Sequence, residues 1–219
     1  MPILVITAVA AERDAVLGGT RSWHASESTP EPAVLAVGAG PAAAAAGTAA
    51  ALARGSYDLV VNAGIGGGFA VAPVGSTVLA TRVVAADLGA ETADGFVPIE
   101  ELGFGTSAFE ADRRLVTRVG DALRAAGVPL VLGPALTVST VTGTAERAAE
   151  LTAAHPGAAV EGMEGFGVAT AAAAFGVPVL ELRTISNAVG PRDRAAWRIP
   201  DALRALTTAF AALEGSLTP

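Results

Sequence analysis

The apolar positions of the chain fall into two kinds of run, and the two alternate. Ile3–Val9 is a continuous apolar, β-branched stretch followed by turn-like or helical sequence. Such a run predicts a strand buried on both faces, as in a parallel sheet. Ala33–Val37, closed by Gly38-Ala39-Gly40-Pro41, predicts a second strand, and Leu59–Ala63, ending in Gly64-Ile65-Gly66-Gly67-Gly68, a third. Ser76–Val84 alternates around Val78, Ala80 and Arg82. Leu130–Leu132 and Ala135–Ser139 are short strand candidates, and Val177–Thr184 is a strand leading into Ile185-Ser186-Asn187.

Helical patterns lie between them. Ala42–Arg54 reads as a helix with Gly55 at its end. Asp112–Ala126 carries Leu115, Val119 and Leu123 at a spacing of four, an amphipathic stripe. Ala145–Ala154 follows Thr144, a suitable N-cap. Gly165–Phe175 is rich in small residues and suits tight packing. Pro200–Leu213 closes the chain, with Asp201 in its first turn. The alternation predicts an α/β fold around a largely parallel sheet. No linker or repeat interrupts it, so residues 1–219 are expected to form a single domain. Ser26–Pro32 is read as a loop inside that domain.

Composition narrows the classes. The chain has 219 residues, a formal charge of −7, 52% apolar residues by the AVILMFWYC set and no cysteine. That excludes a disordered chain and a disulfide scaffold. A cysteine zinc site is impossible, and two histidines, His24 and His155, are too few for a histidine-rich one. An acidic balance without a basic cluster speaks against nucleic acid as a partner. The start lacks a basic leader, and the Ala42–Ala53 stretch falls short of the roughly 20 residues of a membrane span. The expected setting is the cytoplasm, with no membrane partner.

In α/β sheets ligands sit outside the carboxyl ends of the strands. Glu12, just past the first strand, is either a general base or an acid stabilised by the following helix dipole. The glycines of Gly64–Gly68 let a ligand approach the backbone, where free amides bind an anion or a ribose; the plainer alternative is a tight turn. Glu161 and Glu164, three apart and flanked by glycines, precede an apolar helix. Glu164 is either a capping acid or a carboxylate supplied with donors, such as ribose hydroxyls. Arg183, after the apolar Val177–Leu182 run, is the natural internal partner of one of these acids. Ser186-Asn187 is either a presented side chain or an ordinary turn.

The ordered set of Glu12, Asn62–Gly68, Met163-Glu164 and Arg183–Asn187 resembles the nucleoside phosphorylase and nucleosidase family over most of the chain. The resemblance implies a three-layer α/β/α sandwich around a mixed, partly closed central sheet. The implied activity is cleavage of the N-glycosidic bond of a nucleoside. Phosphorylases of the family carry a Gly-Asp-Pro-x-Arg type loop after the first strand. Here that place reads Thr7-Ala8-Val9-Ala10-Ala11-Glu12-Arg13, with an acid as in the methylthioadenosine and adenosylhomocysteine nucleosidases. The hydrolytic branch is therefore implied, with phosphorolysis as the alternative.

By the same resemblance the catalytic residues are Glu12, which activates water, Glu164, which binds the ribose hydroxyls, and Asn187, which donates to the departing base. Adenine-specific members look like Ser-Asp where this chain has Ser186-Asn187, so a 6-oxopurine nucleoside is implied. Ile65, Gly66 and Gly67 would line ribose and base, the Val141-Thr142 backbone the purine edge, and Met163 the sugar. Arg183 belongs to the binding set by holding a carboxylate. No metal or organic cofactor is implied. A homo-oligomer is expected, because sites of the family often borrow residues from a neighbour. A non-catalytic nucleoside-binding protein on the same fold would leave Glu12, Glu164 and Arg183 without purpose.

Overall fold

The computed structural model describes residues 2–21, 23 and 31–217. Chain order is β1 (Ile3–Thr7), α1 (Ala10–Thr20), β2 (Ala33–Ala36), α2 (Pro41–Leu52), β3 (Leu59–Gly68), β4 (Thr77–Ala85), β5 (Gly89–Thr92), β6 (Gly95–Pro98), β7 (Ala108–Glu110), α3 (Arg113–Ala125), β8 (Leu130–Thr137), α4 (Ala145–Ala154), β9 (Val160–Gly162), α5 (Gly165–Ala174), β10 (Val179–Ala188) and α6 (Ile199–Ala211). A single 3₁₀ turn at Arg194–Ala196 precedes α6.

Eight strands form the main sheet, and β5 and β6 make a separate hairpin. Within the main sheet β3 pairs with β10, β10 with β4, β4 with β8, β8 with β9, and β9 again with β3. That ring closes one part of the sheet into a small barrel. β1 and β2 extend from β3 as an open, parallel wing. The sheet is mixed, since the β3–β9 and β4–β10 pairs are antiparallel. Helices cover both sides. Val16, Val119, Leu206 and Phe210 bring α1, α3 and α6 onto one face with Val5 and Val61. Ala44, Leu52, Val168 and Ala172 bring α2 and α5 onto the other with Leu4, Ile6 and Val60. The result is the three-layer, partly closed α/β/α arrangement.

The expected elements need four corrections. β2 is half-exposed because it is the edge strand of the open wing. α2 begins one residue early, on Pro41, and ends at Leu52, before Gly55. The two short runs at 130–132 and 135–139 are one strand, β8, opposite an irregularity between Ala80 and Arg82 of β4. Gly64–Gly68 is the second half of β3, paired with β10 throughout and with β9 at Gly67 and Gly68, and no tight turn. Within the Ser26–Pro32 loop, residues 26–30 lie outside the described residues, as does His24.

No described helix is long and apolar enough to cross a membrane. Among the described residues no cluster of His, Asp and Glu is placed to hold a metal ion.

Candidate active site

The site is laid out along Gly64–Gly68 of β3. A side chain there would collide with what surrounds the strand. A Cβ on Gly64 would sit 2.5 Å from Glu12 Oε1 and 2.9 Å from Arg183 Nη1. One on Gly66 would meet Val160 at 2.7 Å and the Glu161 carbonyl at 2.8 Å, and one on Gly67 would meet Val189 at 2.9 Å and Asn187 Nδ2 at 3.3 Å. The glycines are there for close approach by neighbouring side chains. Register makes the layout explicit: Gly64 stands beside Arg183, and Gly67 stands between Asn187 of β10 and Glu161 of β9.

Glu12 occupies the first turn of α1, 3% exposed. Its Oε2 accepts from the N–H groups of Ala8 (3.0 Å) and Val9 (3.2 Å), as an acid in the third helical position does. Its Oε1 reaches the Ile65 N–H on β3 at 2.9 Å. The carboxylate thus serves the helix end and also faces the glycine strip.

Glu164 stands at the N-cap position of α5 but makes no capping bond with its side chain. Its Oε2 accepts from Arg183 Nη2 (3.0 Å) and from the Met163 N–H (3.3 Å), and its Oε1 from the Gly40 N–H (3.1 Å). The plain capping alternative is therefore excluded by geometry. Arg183 is the partner of Glu164, not of Glu161. It also bonds Glu181 Oε1 through Nε (2.9 Å) and the Ile65 carbonyl through Nη1 (3.2 Å). Burial works against its charge, but Glu181, Glu164 and Glu12 outweigh burial and hold the guanidinium more firmly protonated than usual.

Glu161 faces elsewhere. It accepts from the Thr142 N–H (2.9 Å) and from the Thr142 hydroxyl, anchoring the 139–143 loop beside Gly67. The Thr142 amide is committed to this bond. Val141, its neighbour, is exposed. Burial pushes the Glu161 carboxyl above the usual range, against the pull of the two Thr142 bonds.

Asn187 lies inside β10, beyond a register shift between Ile185 and Asn187. It is a strand residue and no turn. Its Oδ1 accepts from the Ser186 hydroxyl at 2.8 Å, which fixes the flip of the amide. Nδ2 donates to the Ala188 carbonyl at 3.0 Å and carries a second N–H. Ile65 and Gly67 are half-buried along the strip and Gly66 is buried, while Met163, whose N–H donates to Glu164, is half-buried.

Glu181 of this cluster escapes the sequence reading, and Asn62 enters it only as the start of the Asn62–Gly68 motif, with no role of its own. Glu181 and Asn62 are 3% and 1% exposed, and they sit inside runs that read as purely apolar strands. Their signal is nonetheless present: a charge or amide in the middle of a buried strand requires an internal partner.

The closed five-strand ring with its wing, the acids at the strand ends and the amide on β10 define a nucleoside-cleaving type of α/β protein. Residues 12–214 match the family described as the phosphorylase superfamily, and the chain belongs to that family. Within it, the chain is 56% identical to futalosine hydrolase of Streptomyces coelicolor, across 100% of this chain and 96% of that protein. It is 51% identical to futalosine hydrolase of Acidothermus cellulolyticus, across 96% of this chain and 89% of the relative. The native structure of futalosine hydrolase of Helicobacter pylori superposes with a TM-score of 0.81, covering 97% of each chain at 17% identity, which shows the shared fold.

Proposed function

We propose that this chain is a nucleosidase that hydrolyses the N-glycosidic bond of futalosine, releasing hypoxanthine and dehypoxanthine futalosine in menaquinone biosynthesis. The two relatives at 56% and 51% identity support the substrate. One observation carries the chemistry. The Gly64–Gly67 strip has a buried acid, Glu12, at one end and an oriented amide, Asn187, at the other.

The reaction follows from that layout. The ribose lies over Gly64 and Ile65, and the purine lies over Gly67 between Asn187 and the Thr142 loop. Asn187 donates its second Nδ2–H to N7 or O6 of the purine as negative charge develops there. One such donor in a dry site is worth about 3 kcal/mol. Glu164 binds the ribose hydroxyls with the lone pairs left beside Gly40 and Arg183, and its charge favours the oxocarbenium-like sugar. Glu12 orients a water and takes its proton as the oxygen adds to the anomeric carbon. Met163 packs on the sugar.

Residues 1–219 act as one domain in the cytoplasm, as a homo-oligomer, with a small nucleoside and neither nucleic acid nor membrane as partner. An arginine would pair with the benzoate end of futalosine, and Arg192, Arg194 and Arg198 are the candidates. The first two each have the guanidinium carbon 5.9 Å from the centre of the Trp197 ring. Phe104, Phe109 and Trp197 are the candidates to cover the aryl group; Phe109 is packed against Phe166, whereas Phe104 is 79% exposed.

The test is to supply futalosine, inosine and methylthioadenosine, each with and without phosphate, and to follow base release. Hypoxanthine from futalosine without phosphate is the expected result. Phosphate-dependent cleavage of inosine, or preference for methylthioadenosine, would reverse the reading.

A further inference from the structure

Glu181 has no part in the reaction just described, yet it is a buried acid in an otherwise apolar strand. Its Oε1 accepts from Arg183 Nε, and its Oε2 has no hydrogen-bond partner. Across the β3–β10 ladder its register partner is Asn62, whose Oδ1 and Nδ2 are also unpartnered. A buried polar atom without a bond costs about 1–3 kcal/mol, so for packing alone an apolar pair would serve better here. The surroundings are cut to fit the acid. A Cβ on Gly165 would overlap the Glu181 carboxylate, and one on Gly162 would lie 3.1 Å from Arg183 Cζ.

A guanidinium held at one terminal nitrogen is free to roll. In this structure all three nitrogens of Arg183 are engaged: Nε by Glu181, Nη1 by the Ile65 carbonyl and Nη2 by Glu164. The bond at Nε fixes the plane in which the other two point.

We propose that Glu181, backed by Asn62, is a positioning residue for glycosidic cleavage: it sets the plane of the Arg183 guanidinium and thereby the place of the Glu164 carboxylate that meets the ribose. The proposal rests on the nucleosidase reading above. Arg183 brings one positive charge to a buried group that already contains Glu12 and Glu164. Burial pushes Glu181 above the usual carboxylate range, outweighing the pull of Arg183, and Glu164 pushes the same way. In this structure Glu181 holds Nε through Oε1 and has Asn62 as its register partner on β3. A glutamine keeps the shape and the accepting Oε1.

Base release from futalosine is measured for wild type, Glu181→Met, Glu181→Gln and Asn62→Ala, with a thermal melt of each. Glu181→Met keeps the volume and removes the polar atoms. It should melt cooperatively and lose kcat by about 30- to 100-fold with KM within about three-fold, because a small misplacement of a catalytic group is that costly. Glu181→Gln should stay within about five-fold of wild type, a rescue that simple packing does not require. Wild-type kcat in a folded Glu181→Met variant overturns the proposal. So does a Gln variant as slow as the Met variant, since charge and not placement would then be at work. If Glu181→Met does not fold, Asn62→Ala decides. A kcat lowered about ten-fold at unchanged KM supports the proposal, and wild-type kcat overturns it. Should wild type spare futalosine but cleave inosine or methylthioadenosine, the substrate reading fails alone, and the variants are compared on the nucleoside that is cleaved. Cleavage of none of the three overturns both.

Discussion

Arg183 Nη2 lies 3.0 Å from Glu164 Oε2, with the two side chains 2% and 5% exposed. Water does not screen this pair. Removing the cation would leave Glu164 and Glu181 without their shared counter-charge in a dry site. Breaking a buried pair in this way costs about 3–5 kcal/mol. Arg183→Met should therefore lower the melting temperature by on the order of 10 °C for a chain of this size. It should also abolish most turnover. Calorimetry and base release on the same preparation check both halves, and a melting temperature near wild type would show that the pair contributes little.

Glu12 accepts three backbone N–H groups and offers none in return. Glu12→Gln must turn its NH₂ toward at least one of those donors. The variant should lose about 1–3 kcal/mol of stability from the bond that cannot be made. It should lose turnover by about 10²- to 10⁴-fold as the base disappears, while still binding substrate. Near-normal turnover would remove Glu12 from the mechanism.

The amide of Asn187 is set by the Ser186 hydroxyl on its oxygen, which leaves nitrogen as the group turned outward. Asn187→Asp exchanges that donor for a carboxylate. Hypoxanthine release from futalosine should fall by about 10²- to 10³-fold. Cleavage of an adenine nucleoside such as methylthioadenosine should rise relative to it. Ser186→Ala should give a smaller loss of the same kind, since it frees the amide to flip. Parallel assays on the two nucleosides measure the change of preference.

Much of this site can be read in the sequence because its parts follow strand ends, where a lone acid or amide stands out against an apolar run. Glu12 and Glu164 are such residues, and Asn187 stands out next to the last residue of β10. What escapes is register. Nothing local says that Gly67 will have Asn187 on one side and Glu161 on the other, or that Glu161 will spend both oxygens on Thr142. The glycines mislead for the same reason. Four of them in five residues look like the end of a strand at Ala63, but the ring-closing pairs hold them extended within β3. Glu181 is hidden because an apolar run is read by its majority, and the role of Asn62 is hidden because its partner stands on another strand. The β5–β6 hairpin is missed because Gly89–Pro98 is mostly exposed and carries little periodic pattern.

Two buried carboxyls give stability a pH dependence of definite sign. Burial raises both Glu161 and Glu181 above the ordinary value of 4.5. Above that pH the native state still holds protons that the unfolded chain has lost, so the native state is favoured by them. Their contribution is full below 4.5 and is lost as pH climbs through the native values. Glu161→Gln should make this decline shallower. His155 acts in the opposite direction. Burial, helped by the charges of Arg82 and Arg147, lowers its pKa below 6.5, so its burden appears as pH falls through that region. Melting curves at a series of pH values for wild type, Glu161→Gln and His155→Gln separate the two limbs.

Gly165 tests the packing of the cluster independently of charge. It begins α5 with an ordinary negative φ, so alanine is conformationally allowed there. Helix propensity alone would favour Gly165→Ala by up to about 1 kcal/mol. The new methyl, however, would overlap the Glu181 carboxylate, whose other side is held by Arg183. Overpacking of this kind costs about 1–3 kcal/mol, so the clash should win and the variant should melt below wild type. Turnover should fall with it, as Glu181 is pushed away from the guanidinium. Glu181→Ala removes the obstacle. The double variant should therefore be more stable than the sum of the two single losses by at least about 1 kcal/mol, the range in which contacting residues couple. Simple additivity in chemical denaturation would mean that Gly165 and Glu181 do not share this space.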